Sequence, residues 1–308
     1  MSQNRKHPIR AILFAFDQSF FEPGLVSVFT ALRHSPDDVP VFVASLGLSQ
    51  DSANRVLSLA PQRLKIVDVT ERINALASQL PGRRLVPATK KWARILVDQI
   101  VPSDIQRVLY LDADILVRNS LLPLLESDLH GKMIGACVDH LTTTHGQRGV
   151  EFCDLAQSPP TAAYFNSGVL VLDLHQWRGL GADMRILEVA SKQPTFKFPN
   201  QDLLNVSLWR DWYPLDGFTW NFPAAESRGS AHASILHFVG PKPWKTPSIN
   251  RSSQREYELA AKEIGWNLKL PFKLRLKEIT RWFLPTGYTN HRYSRIEPRY
   301  SFELSEGL

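Results

Sequence analysis

Cysteine is almost missing from this chain: there are two in 308 residues, Cys137 and Cys153, with no Cys-x-x-Cys pair and no histidine cluster beside either. That excludes a disulfide-stapled scaffold and a cysteine-rich zinc site. Cys137 lies in the apolar run Met133–Val138 and reads as a buried core thiol. Long apolar runs are missing too. Ala11–Phe16 stops at Asp17, too short for the core of a signal peptide. Nowhere do about 18 apolar residues follow one another, as a membrane span would need. The expectation is a chain that is soluble or peripherally bound and works in a reducing cytoplasm. Internal repeats and low-complexity tracts are absent as well. With 44% hydrophobic and 21% charged residues, the chain has the composition of an ordered globular protein, long enough for one large core.

Acidic residues are scarce in one region only. Between Lys242 and Tyr300 there are 13 Lys and Arg against 5 Asp and Glu, which leaves 23 against 25 elsewhere. The net charge of +6 therefore belongs to the C-terminal part. No recognised nucleic-acid-binding motif accompanies it, so nucleic acid is not the expected partner. Within it, Leu268–Phe283 interleaves Lys269, Lys273, Arg275, Lys277 and Arg281 with leucines, Ile279, Trp282 and Phe283. Such mixing suits an anionic membrane surface, so Leu268–Arg299 is expected to anchor there. The expected organisation is a catalytic domain over 1–245 and a basic, aromatic segment over 246–308.

Strand-length apolar runs recur at Ile9–Phe16, Val41–Leu46, Leu64–Val69, Val108–Leu111, Met133–Val138, Gly168–Leu174 and Ile235–Val239. Helical patterns cover Ser49–Leu59, Lys90–Ile100, Asp183–Lys192 and Gln201–Trp209. Strands alternating with helices predict an α/β fold with a mainly parallel central sheet flanked by helices. Ligands of such sheets sit at the carboxyl ends of the strands.

The most informative stretch is Arg107–Ser120, in which a buried strand runs into Asp112-Ala113-Asp114. Carboxylates at i and i+2 leave a strand on one side, and at its carboxyl end they offer hard oxygen ligands to Mn²⁺ or Mg²⁺. A helix cap or a loop ion pair would use the same residues. Haloacid-dehalogenase-type phosphatases also end a strand in Asp-x-Asp, but Leu116 stands where they carry Thr or Val. The Gly-Asp pair of their later metal motif occurs nowhere in the chain. Three further clusters stand out: Asn166-Ser167-Gly168 before a strand, Asn200-Gln201-Asp202 at a helix start, and His237 followed by Gly240, Lys242 and Trp244. Singly they read as a turn, an N-cap and a structural histidine.

Together and in this order, with Asp17 after the first strand and Trp92-Ala93-Arg94, the clusters resemble glycosyltransferase family 8. The likeness is to its bacterial lipo-oligosaccharide galactosyltransferases and glucosyltransferases, and it runs from about Ile9 to Trp244. The resemblance implies a GT-A nucleotide-sugar transferase fold, a UDP-sugar donor and a saccharide acceptor. It also implies Mn²⁺, with Mg²⁺ as the alternative, held by Asp112, Asp114 and His237. Donor contacts would come from Asp17, Ser19, Arg94, Asp112, Asn166, Asp202, Gly240 and Lys242. Gln201, Asn200 and Asp139 would surround the transferred sugar. Departures are Asn200 where the family usually has Asp, Gln18 after Asp17, Trp92 for Tyr, and a Gly240–Lys242 spacing one residue short. They imply a changed donor or acceptor preference rather than lost metal binding. The alternative function is a non-catalytic nucleotide or anionic-surface binding module on the same fold.

Overall fold

The computed structural model describes residues 8–79, 92–192, 196–246 and 250–268. Its centre is a seven-stranded sheet in the order β3-β2-β1-β4-β7-β6-β8. These strands are β1 (Arg10–Asp17), β2 (Val41–Leu46), β3 (Leu64–Asp68), β4 (Arg107–Leu111), β6 (Ile134–Val138), β7 (Phe165–Asp173) and β8 (Trp212–Leu215). The first four pair in parallel, as does β8 with β6, while β7 runs antiparallel to both β4 and β6. The expected mainly parallel sheet is present, with one reversed strand inside it.

The inner strands are mostly apolar because both faces of the sheet are covered there. Alternation sorts them: Ala11, Leu13, Val108, Tyr110, Leu170 and Leu172 enter one core, and Ile12, Phe14, Leu109, Leu111, Val169 and Val171 the other. On the first face lie the helices Ala182–Ser191 and Pro199–Leu208, and on the second the helix Phe21–Arg33.

A small second sheet, β5-β10-β9, stands beside the end of β4. Its strands are β5 (Ile115–Val117), β9 (Phe222–Pro223) and β10 (Ile235–His237). The free edge of β5 is closed by buried hydroxyls of the helix Phe21–Arg33. Ser27 accepts from the Ile115 N–H at 3.2 Å and donates to the Ile115 carbonyl at 2.9 Å, and Thr30 accepts from Val117 at 3.2 Å. An unpaired buried amide would cost about 1–3 kcal/mol, so these two residues hold β5 where it lies.

Three expectations change. The helix expected over Lys90–Ile100 is, in its described part, a 3₁₀ turn over 92–94 followed by a short helix Val97–Ile100. Residues 92 to 97 are all buried, and a segment without a solvent face has no amphipathic period to follow. Second, β7 begins at Phe165, so Asn166-Ser167-Gly168 lies within the strand instead of opening it. Third, the folded body continues past the expected boundary at 245. The helix Arg251–Glu263 buries Tyr257, Ala260 and Ala261 against Val26, Leu116, Leu236 and Phe238. Trp266 and Leu268 join that cluster, so the first residue of the expected anchor packs on this core. The rest of the anchor, from residue 269, lies outside the described residues.

Tyr257 stacks on Trp244 at 5.4 Å and meets Phe238 edge-on at 4.9 Å, while its buried hydroxyl has no hydrogen-bond partner among the described residues. In urea unfolding, Tyr257→Ala should cost about 3–5 kcal/mol. Tyr257→Phe should fall within about 1 kcal/mol of wild type, because it removes a buried group that gains nothing. Wild-type stability in Tyr257→Ala would detach this helix from the core.

Candidate active site

The reversed direction of β7 builds the site. Because β7 is antiparallel to β4, its beginning lies beside the end of β4, and the Asp112 N–H donates to the Gly168 carbonyl at 2.8 Å. The small sheet then brings the third cluster in: His237 faces Ile115 across β10 and β5, and the Phe238 N–H donates to the Asp114 carbonyl at 2.9 Å. One ligand atom each from Asp112, Asp114 and His237 lies within 4.8 Å of the others.

Each carboxylate is held by a cation. Arg94, only 4% exposed, donates to Asp112 Oδ1 at 2.9 Å and to the Ser167 carbonyl and Oγ at 2.6 and 2.7 Å. The Tyr110 hydroxyl donates to the same Asp112 oxygen at 3.0 Å, and its ring carries the guanidinium at 4.6 Å. Lys242 donates to Asp114 Oδ2 and, at 2.6 Å, to the Phe238 carbonyl. His237 Nε2 lies 3.2 Å from Asp114 Oδ1. Burial would raise the Asp114 pKa, but His237 and Lys242 outweigh it and hold the carboxyl well below the usual range.

The residues fit a divalent cation. Two carboxylates and an imidazole form a hard, mixed O/N donor set. The space between them exists because residue 168 has no side chain. A methyl there would lie 2.3 Å from His237 Cε1 and 3.0 Å from Asp112 Oδ2.

Comparison with known proteins agrees with this geometry. The model of the family "Glycosyl transferase family 8" matches residues 11–247, from the first strand to beyond Lys242. The chain belongs to glycosyltransferase family 8. Glycosyltransferase GlyF of Streptococcus pneumoniae is 27% identical over 84% of this chain and 62% of its own length. Lipopolysaccharide 1,2-glucosyltransferase of Escherichia coli is 27% identical over 59% of this chain and 58% of its own. The chain thus spans about three fifths of the length of these two relatives. Among solved structures, an active-site mutant of LgtC superimposes with a TM-score of 0.68 at 22% identity, over 86% of this chain and 99% of that one. The galactosyltransferase LgtC in complex with donor and acceptor sugar analogues gives 0.65, also at 22% identity, over 87% and 99%. The fold is the expected GT-A fold.

Around the three family motifs, the structure gathers more residues than the sequence suggested, and releases one. Asp139 is 6% exposed and accepts four hydrogen bonds: from Leu141 and Thr142 backbone at 3.0 and 2.8 Å, from Asn166 at 2.9 Å and from Gln201 at 3.1 Å. It orients Asn166 and Gln201, and its lone pairs are committed to doing so. Gln201 also accepts from the Ser167 N–H at 3.0 Å, which ties the helix Pro199–Leu208 to β7. Asn200, the second residue of that helix, has a buried Oδ1 with no hydrogen-bond partner among the described residues. Asp202 is the correction. It is 0% exposed, paired with Arg148 at 2.9 Å, and accepts from the Tyr164 hydroxyl at 2.6 Å and the Phe198 N–H at 2.8 Å. The rotation of successive residues around the helix turns it inward, so it supports Gln201 from behind and cannot touch a donor.

Gly240 has φ +85°, and a Cβ there would meet nothing. Its part is therefore to make the turn that brings Lys242 back to Asp114. Asp17 closes β1 with an Asx turn onto Ser19 and Phe20, at the same end of the sheet. Sequence reading missed Asn221, Tyr110 and Arg148. Asn221, alone among the aromatic and proline residues Trp220, Phe222 and Pro223, was the one legible signal, an amide with no polar neighbour. Gly168→Ala should fold normally by circular dichroism but weaken Mn²⁺ binding by about 10–100-fold in calorimetric titration, as when a ligand loses its support. Unchanged binding would remove Gly168 from the metal site.

Proposed function

We propose that the protein transfers a hexose, galactose or glucose, from a UDP-sugar to a saccharide acceptor, with retention at the anomeric carbon. The observation that carries this reading is the Asp112–Asp114–His237 cluster around the space at Gly168, with Gln201 and Asn166 beside it. A divalent cation held by these three residues would neutralise charge on the departing diphosphate. Arg94 fixes Asp112 in place for it. Lys242, on its turn from Gly240, would grip a phosphate oxygen once it leaves Asp114. Asp17 and Ser19 line the uridine end.

Retention here needs no enzyme nucleophile. Gln201 is a neutral amide, and both of its ends are engaged, with Ser167 and Asp139. Asp139 is saturated. Front-face attack follows: the acceptor oxygen bonds to the anomeric carbon on the side the diphosphate leaves, and its proton passes to the leaving phosphate oxygen. A lipopolysaccharide or other lipid-linked acceptor is supported by the name of the Escherichia coli relative and by the basic, aromatic sequence Leu268–Arg299.

UDP release should appear with Mn²⁺ and one member of a UDP-sugar panel, rise with a saccharide acceptor, and stop on chelation or in Asp112→Asn and Asp114→Asn. Because other relatives are named probable galacturonosyltransferase-like proteins, the panel includes UDP-galacturonate. Full activity after chelation would defeat the metal reading. Intact-mass spectrometry should find no hexose adduct on wild type, and a stoichiometric one would defeat front-face attack. Deleting residues 270–308 should spare transfer to a small water-soluble acceptor while abolishing co-sedimentation with anionic vesicles at low salt. Vesicle binding that survives the deletion would discard the anchor.

A further inference from the structure

A chain of side-chain amides runs behind the metal ligands, and one backbone group sets its direction. The Gly168 N–H donates to Asn166 Oδ1 at 2.9 Å, so that atom is the oxygen. The other end of the Asn166 amide meets Asp139 Oδ2 at 2.9 Å, a carboxylate oxygen that only accepts. Asn221 meets Asn166 Oδ1 at 3.0 Å and must present its Nδ2 there. Its Oδ1 is thereby turned to His237 Nδ1, at 2.8 Å. An amide oxygen accepts only, so Nδ1 carries a hydrogen, and a neutral imidazole held this way has its lone pair on Nε2. Nε2 lies 3.2 Å from Asp114 Oδ1, so a proton or a metal ion is what can sit between these two acceptors. Asn166, Asn221 and His237 are all buried, so water does not compete for these bonds.

We infer that Asn221 is a positioning residue: by holding Nδ1–H it makes Nε2 the ligand atom of His237 and, through Asn166, joins the metal ligand to the Asp139–Gln201 pair beside the transferred sugar. The inference rests on the metal reading of the site and adds what that reading lacks, a physical link between its metal half and its sugar half. Substitution at 221 separates the two. In Asn221→Leu both bonds vanish. In Asn221→Asp one carboxylate oxygen still accepts from His237 Nδ1–H, but the other faces Asn166 Oδ1 with no hydrogen to give.

Mn²⁺ alone, titrated into the full chain and followed by the electron paramagnetic resonance of free Mn²⁺, should bind about 10–100-fold more weakly in Asn221→Leu. Asn221→Asp should keep near wild-type Mn²⁺ affinity but lose the preference for a UDP-sugar over UDP, a split that general loosening would not produce. In metal-free, ¹⁵N-histidine-labelled wild type at alkaline pH, His237 should show a protonated Nδ1 and an unprotonated Nε2. Wild-type Mn²⁺ affinity in Asn221→Leu overturns the inference. If that variant fails to fold, Asn221→Asp decides, and loss of Mn²⁺ binding in it overturns the inference as well. A protonated Nε2 in wild type does the same. Should wild type bind no Mn²⁺ at all, the metal reading fails, and the tautomer measurement still decides what Asn221 does.

Discussion

The site depends on one backbone pairing, that of β7 running antiparallel to the end of β4. It sets Gly168 opposite the first of two aspartates, and the contacts that Arg94, Gln201 and Asp139 make with Ser167 and Asn166 use that placement. A parallel strand would have put Asn166-Ser167-Gly168 at the far end of the sheet. The same pairing makes glycine obligatory at 168, since a Cβ would occupy the space between His237 and Asp112. A constraint of backbone direction thus becomes a constraint on chemistry: the one position lacking a side chain lies where an ion would need room.

Charge at this point is balanced locally. Asp112 with Arg94 and Asp114 with Lys242 form two partly buried pairs beside each other. Breaking one member of a buried pair costs about 3–5 kcal/mol, because the survivor is left uncompensated. Arg94 and Lys242 differ in how they are held. Arg94 is fixed by four contacts including the Tyr110 ring, whereas Lys242 reaches Asp114 from a glycine-made turn. On the Gln201 side, the buried Arg148–Asp202 pair holds the helix Pro199–Leu208, so polar groups on both flanks are spent on geometry.

Much of this was legible in the chain. The seven apolar runs correspond to strands, and Asp112, Asp114, Asn166, Gln201, His237 and Lys242 do converge. Among them, Asp112, Asp114 and His237 form a mixed oxygen and nitrogen donor set that fits a hard cation. Less legible were segments whose burial is complete or comes from distant partners. The stretch 92–97 has no polar face to give a period. The helix Arg251–Glu263 looks like part of a basic tail, because nothing in its sequence names Val26 or Phe238 as the surface it covers.

The sequence by itself determined the class of chemistry, since the spacing of two carboxylates after a buried strand and the ordered motifs after it do not depend on packing. It also determined the two-sided sheet, because runs without polar alternation can only be buried on both faces. The tertiary structure alone decided which polar residues reach the site and which stand behind it. Gln201 and Asp202 are neighbours in the chain, yet one turns to Ser167 and Asp139 at the site and the other to Arg148 in the core. The reason is geometric: a helix turns each residue by about 100°, and which direction faces a ligand is fixed by the strand the helix packs on.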